Sequence, residues 1–467
     1  MKFVTKTQSN RIVRWAAGAL AGMAMAVSVV PAGAQSAACV PRPSRARLEA
    51  MRYANMPAQA FPFGRYIKPY ALWYVQPDTL AYDGAARSLP TPDWRKLPAI
   101  NLGFLGPLQP EYANAAYGMA MLRGAELALA EANAHGGYHG KPFALKIHND
   151  KPLWGASAIE IVRMRYRQQV WGMLGSVNGA STHIALRAAL KIQLPIVDTA
   201  TTDPTVTETR IPWLLHNFPD DRQQGYALAD YIFNHLHLQH VAILRVNARY
   251  GRLGDKVFFN TARRLGAQPS VVVKFAPYET NFTRPLRELQ RLGMDGLVLW
   301  ANARQAGLIV RQMRAMGMHQ PVFGSSRVAY PALLKTAGAS ADGLVAVSAI
   351  DPTRLSAKWL RFRLRYTRRF HTAPDAYAAY AYDGMNMLIT AIRQAGLNRA
   401  RIMGALKHYA LHSYRGVSGT AFFDYTLNNI APVTMARVEK GHFIYWPERR
   451  SDWRANTWPG CLAAAGR

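Results

Sequence analysis

The sequence predicts an α/β protein built from two parallel-sheet domains, and three observations carry that prediction. From residue 100 onward, short apolar runs alternate with segments of helical periodicity; the alternation starts a second time near Asn217; and the loops after the apolar runs are rich in Gly, Ser and Thr. Strand, loop and helix in that order make βαβ units, whose ligands sit in the loops at the carboxyl ends of the strands.

The first block begins with the apolar run Ile100-Asn101-Leu102-Gly103-Phe104-Leu105, closed by Gly106-Pro107. Apolar residues at 121, 122, 125, 128, 129 and 132 then recur at helical spacing, and Gly136-Gly137 supplies a left-handed stop. Residues 143–150 alternate as a strand, 156–168 read as a helix, and 170–175 form a strand opening into a polar loop that contains Gly179 and Ser181-Thr182. A helix follows to Lys191, then a strand over 195–198 and the loop Thr199-Ala200-Thr201-Thr202-Asp203-Pro204. Two hydroxyl-rich loops at strand ends, each with a helix N-terminus behind it, suit a small polar ligand.

The second block repeats the rhythm. A helix over 222–236 precedes the strand 240–246, and Tyr250-Gly251 occupies the next loop. Strands are expected over 270–275, 296–300 and 321–324, the last running into Ser325-Ser326-Arg327, with helices between them. A further strand over 343–350, helices over 355–370 and 374–396, and a closing antiparallel pair from 433–438 and 442–446 complete the pattern.

The ends differ in texture. Lys2, Lys6, Arg11 and Arg14 precede an uncharged apolar run from Trp15 to Val30 and then Ala32-Gly33-Ala34, the layout of a secretory signal peptide over residues 1–34. Residues 35–98 form a Pro- and aromatic-rich extension that reads as packed on a domain surface, and residues 447–467 a tail. Only two cysteines occur, Cys39 and Cys461. In an oxidising compartment such a pair is most simply a disulfide, the competing reading being lipidation at Cys39. The formal charge is +30, and removing residues 1–34 takes away four positive charges and no acid. The arginines are scattered through amphipathic patterns, as in Arg361-Phe362-Arg363-Leu364-Arg365, so they read as a solvated basic face.

Several segments, in order, resemble the leucine/isoleucine/valine-binding proteins, the periplasmic solute receptors of ABC transporters. They are Tyr117-Gly118, Gly124-Ala125 with Glu131 to Gly137, the loop ending in Ser181-Thr182, Thr201-Thr202-Asp203-Pro204, Phe218-Pro219-Asp220-Asp221-Arg222-Gln223-Gln224-Gly225, Tyr250-Gly251, residues 311–317 and Tyr382-Asp383-Gly384. The resemblance implies a type I periplasmic-binding-protein fold of two Rossmann-like lobes, joined by a three-strand hinge and closing on a ligand. Lobe 1 would comprise residues 99–217 and 343–416, and lobe 2 residues 218–342 and 417–446, with crossovers near 217, 343–350 and 416–420. Gly416 and Gly419 suit the hinge.

By the same resemblance the ligand contacts fall on Tyr117, Ser181, Ala200, Thr201, Thr202 and Tyr250, with Trp300, Ser326 and Arg327 at the second-lobe mouth. The family's second-lobe acid, which pairs with an α-ammonium, falls near Ser326 beside Arg327. An ammonium left unpaired in a dry cleft is costly, so this reading favours a carboxylate or aromatic acid over a free amino acid.

The expected function is a periplasmic receptor that hands a small ligand to an ABC permease complex. The alternative is a periplasmic sensing or accessory protein that partners an oxidising enzyme system. No cofactor, metal or nucleic acid is expected: the sequence has no GxSxG, HExxH, CxxC or GxxxxGK[ST], which argues against catalysis. An export signal also stands where a repressor would carry its helix-turn-helix.

Overall fold

The computed structural model describes residues 84–150, 155–267, 269–410, 413–424 and 426–447, all within one compact unit. The signal peptide, most of the extension, the tail, and both Cys39 and Cys461 lie outside the described residues. Among the described residues no helix is long and apolar enough to cross a membrane.

The first sheet has five parallel strands in the order β2-β1-β3-β4-β5: β1 (Ile100–Gly106), β2 (Phe143–Asn149), β3 (Met173–Leu174), β4 (Ile196–Asp198) and β5 (Leu214–His216). Its helices are α1 (Ala115–Ala134), α2 (Ala156–Tyr166), α3 (Gly179–Ile192) and the single turn α4 (Thr205–Glu208). Strand β1 is buried along nearly its whole length because helices cover both faces of a parallel sheet. Its register pairs Ile100 with Phe143 and Gly106 with Asn149.

The chain then crosses into the second lobe through α5 (Asp221–Ala229), which continues as one π-helical segment, Asp230–His235. The capping box that starts α5 is written in the sequence: the Asp220 side chain receives the Arg222 N–H at 2.8 Å, and Gln223 accepts the Asp220 N–H at 2.8 Å. Strands β6 (Val241–Val246), β7 (Val271–Phe275), β8 (Gly296–Trp300), β9 (Val322–Gly324) and β10 (Val345–Ser348) are parallel. Helices α6 (Arg249–Arg264), α7 (Thr283–Leu292), α8 (Ala303–Ala315) and α9 (Pro331–Ala337) connect them.

The chain returns to the first lobe as α10 (Ala357–Phe370), α11 (Ala376–Ala395) and α12 (Arg399–Lys407), followed by the short ribbon β11 (Tyr414–Arg415) and β12 (Thr420–Ala421). It ends in the second sheet as β13 (Thr434–Glu439) and β14 (His442–Pro447), so that sheet runs β14-β13-β10-β9-β8-β6-β7. Helices α1 and α11 are pressed together because Gly124 has no side chain: a Cβ there would lie 2.1 Å from the Ala378 carbonyl oxygen.

One crossover stands later in the chain than the sequence places it, and another falls at the end of the expected 343–350 window, which moves the lobe boundary from 343 to 349. β10 is hydrogen-bonded between β9 and β13, so it completes the second lobe, and the passage to the first lobe comes at Ala349-Ile350, which join the first core. The last passage comes after Leu427: Phe423 and Leu427 pack in the first core, Val433 and Met435 in the second. It lies beside the first passage, with His216 N–H bonded to the Leu427 carbonyl and Asn429 N–H to the His216 carbonyl, each at 2.9 Å. The His216 ring meets Asn428 Oδ1 at 2.6 Å, and Asn429 Nδ2 donates to the Asn217 carbonyl at 2.7 Å. Gly416 instead serves close approach: a Cβ there would sit 2.1 Å from Asp383 Oδ2, and Asp383 accepts the N–H groups of Val417 and Ser418 at 2.8 and 2.7 Å.

Candidate ligand cleft between the lobes

The carboxyl ends of the two sheets face one cleft, with a cavity volume of about 210 Å³. From the first lobe come Pro107, Asp150, Gly179, Thr201, Thr202 and Asp203; from the second come Asp221, Tyr250, Asn302, Gln305 and Arg327.

Arg327 dominates the chemistry. It follows β9, is 6% exposed, and its guanidinium lies 3.8 Å from the centre of the Tyr250 ring. Nη2 donates to the Val177 carbonyl of the first lobe at 3.0 Å, while Nε has no hydrogen-bond partner. Burial opposes the cation, but the phenol oxygens of Tyr377, Tyr250 and Tyr117 and the Asp221 carboxyl outweigh it, so the guanidinium stays charged. Tyr117 donates to the Arg327 carbonyl at 3.2 Å from across the cleft, and burial pushes its own phenol up to about 12. Tyr117 stacks on Tyr377, which stacks on Phe218, so an aromatic column backs the arginine.

A second contact joins the lobes. Arg249, the first residue of α6, donates from Nε to Asp203 Oδ2 at 2.6 Å and from Nη2 to Thr205 Oγ1 at 2.8 Å. Burial works against the Asp203 charge, but hydrogen bonds from His183, Thr205 and Arg249 hold this carboxyl well below the usual carboxylate range. With three side chains bridging the lobes, the structure is the closed form.

The residues singled out from the sequence divide into four groups. Thr201, Thr202, Tyr250 and Arg327 line the cleft. Ser181 is spent on support: with Ser176 and Ser157 it donates to the buried carboxylate of Asp150, whose acidity burial weakens and those hydroxyls partly restore. Ala200 and Tyr117 are buried beside the lining, and Ser326 uses its N–H on Gln224 Oε1 at 2.9 Å while its hydroxyl has no partner. Trp300 is a core residue: it is fully buried against Phe258, and a Cβ on Gly254 would fall 1.9 Å from its Nε1. At the end of β8 it faces the α6 side of the sheet and lies outside the cleft lining.

Two acids in the lining carry more weight than the sequence signalled. Asp203 belongs to the lobe-bridging contact described above. Asp221, the first residue of α5, is fully buried, lines the cleft, and accepts no hydrogen bond of good geometry at either oxygen. Burial raises its carboxyl well above the usual range, with the Thr202 hydroxyl partly offsetting it.

Two α/β lobes joined by three passages, with a polar cleft at the carboxyl ends of both sheets, define a bilobal solute receptor. Residues 99–442 match the Periplasmic binding protein family, and the chain belongs to it. It is 26% identical over 292 residues to the Leu/Ile/Val-binding protein homolog 1 of Brucella suis, covering 61% of this chain and 76% of that protein. It is 25% identical over 336 residues to homolog 2 of Brucella abortus, covering 70% and 88%. Among solved structures it is similar to the branched-chain amino acid transporter substrate binding protein LivJ of Streptococcus pneumoniae in complex with isoleucine. That match has a TM-score of 0.68 at 24% identity and covers 75% of this chain and 99% of the other. A solute binding protein of an ABC transporter from R. palustris in complex with benzoate matches with a TM-score of 0.67 at 16% identity, covering 75% and 96%. The fold and family inferred from the sequence therefore hold.

Proposed function

We propose that this protein is a periplasmic receptor that captures a small carboxylate in the cleft and presents it, lobes closed, to an ABC permease. The observation that carries the reading is Arg327: a buried guanidinium on an aromatic face, inside a ligand-sized cavity, with Nε uncommitted. A guanidinium fork fits a carboxylate in two parallel hydrogen bonds, and a water-poor cleft strengthens them. Thr201 and Thr202 supply hydroxyls on the opposite wall. No chemistry on the ligand is assigned. The transporter-receptor names of the relatives support this reading over the accessory or sensing alternative. Family membership supports export, the apolar segment over 15–30 supplying the signal.

The test is a thermal-shift screen of the mature protein against leucine, benzoate, phenylpropionate and short dicarboxylates, followed by calorimetry on Arg327→Ala. Truncating one partner of a buried charge pair costs about 2–5 kcal/mol, so binding should weaken at least ~30-fold. Unchanged affinity in Arg327→Ala, or no shift with any carboxylate, would overturn the assignment.

A further inference from the structure

Helix α10 carries a charge pattern that the cleft does not use. Its inner face is apolar: Trp359, Phe362 and Tyr366, spaced by three and four residues, are buried in the first core. Every charged residue on the helix is a cation, Lys358, Arg361, Arg363, Arg365, Arg368 and Arg369, and all six are exposed. Helix stability does not account for this run. Lys358 stands in the first turn, where the helix dipole disfavours a cation, and Arg361 with Arg365 and Arg365 with Arg369 are like charges one turn apart. Two acids on the neighbouring α1 compensate only one flank: Glu131 pairs with Arg365 at 3.1 Å, and Glu126 interacts with Arg369. Among the described residues Arg361, Arg363 and Arg368 form no ion pair.

The residues between these cations point to the kind of surface they face. On the outward side, opposite the buried aromatics, Arg361, Leu364 and Arg368 follow one another at helical spacing, and Leu364 is 71% exposed. Leu355, just before the helix, is 80% exposed. A leucine held out to water between guanidinium groups suits a surface that is anionic at its boundary and apolar just beneath. Five of the six cations are arginines, whose planar fork matches phosphate oxygens. A folded protein partner is registered by a pattern of charges, whereas α10 presents a single sign with no acid to fix an orientation. We infer that the outward face of α10 is a docking surface for an anionic phospholipid bilayer, with the arginines on headgroup phosphates and Leu364 inserted between them. No residue of α10 lines the cleft, so docking leaves the cleft clear. Confinement to the membrane that holds the proposed permease raises the effective concentration of the receptor there. The inference goes beyond the carboxylate reading and does not depend on what the cleft binds.

Flotation of the mature protein with phosphatidylcholine vesicles, with and without phosphatidylglycerol, tests it. Binding should require phosphatidylglycerol and fall steeply as salt rises from about 50 to about 500 mM. Removing one cation near a bilayer weakens binding about 5-fold, so Arg361→Gln/Arg368→Gln should lose about 25-fold. Arg287→Gln/Arg291→Gln takes the same charge from exposed positions on α7 in the second lobe, and should change binding less than about 2-fold because charges beyond a Debye length are screened. Leu364→Ser, which keeps every charge, should weaken binding at least about 5-fold. Circular dichroism and melting temperature check that each variant folds. Absence of binding to phosphatidylglycerol vesicles at low salt, equal losses in the two double variants, or full binding by Leu364→Ser overturns the inference. The last of these would assign the face to an acidic protein partner instead.

Discussion

Arg249 holds the lobes together without belonging to either sheet, and removing it should open the empty protein. Its Nε and Nη2 reach Asp203 at 2.6 Å and Thr205 at 2.8 Å, both on the opposite lobe. One charge-assisted hydrogen bond to a buried acid and a second to a hydroxyl would be worth several kcal/mol in a dry site. The Arg249 side chain is 36% exposed, however, and solvent competes for it, which lowers the net contribution to about 1–2 kcal/mol. That shifts the open-to-closed ratio of Arg249→Ala by about 5- to 30-fold, and weakens ligand binding by the same factor wherever the open form dominates. Asp203 is held below the usual carboxylate range, so the latch should stay intact above a pH of about 4 and be lost as the pH falls further. Small-angle X-ray scattering of the ligand-free protein reads the opening as an increased radius of gyration, and calorimetry with the best carboxylate from the thermal screen reads the affinity. Arg249→Lys, which keeps a point charge but loses the fork, should fall between the two. Identical scattering and identical affinity in wild type and Arg249→Ala would refute the latch.

Tyr250→Ala removes the aromatic face beneath the Arg327 guanidinium and the hydroxyl contact with Ser325, and should weaken carboxylate binding about 5- to 30-fold. Tyr250→Phe, which retains the face, should lose less, and equal losses in the two would assign the effect to the hydroxyl. Burial raises the Asp383 carboxyl to about 6, so its folded form takes up protons more readily than the unfolded chain. Its stabilisation is then complete below the ordinary aspartate value and lost as pH rises through about 6, a change of at most ~3 kcal/mol. Urea denaturation of wild type and Asp383→Asn between pH 4 and 7 should show a fall in stability that the variant lacks; parallel curves would remove Asp383 as its source.

What could be read from the chain in advance follows from how local each signal is. The βαβ rhythm is written in consecutive residues: β1 is apolar because both its faces are covered, and the box Asp220-Asp221-Arg222-Gln223 starts a helix by hydrogen bonds within four positions. Gly124 is legible in part, since a glycine inside a good helix asks for a reason, but the reason, the Ala378 carbonyl, lies far along the chain. The last crossover lies several residues beyond 416–420, and the lobe boundary within 343–350 falls at its end, because membership of a lobe is decided by pairing between distant strands, such as β10 with β13. The resemblance places Trp300 at the second-lobe mouth, yet strand residues alternate between faces and this one turns into the core against Phe258. Asp221 is the opposite case. Its sequence context explains it fully as a helix-start acid, so nothing marks it as a buried group of the cleft lining until the folded arrangement is known. Which groups face the cleft is decided only when both lobes close on it, because the lining draws on loops from both sheets and on the start of α5.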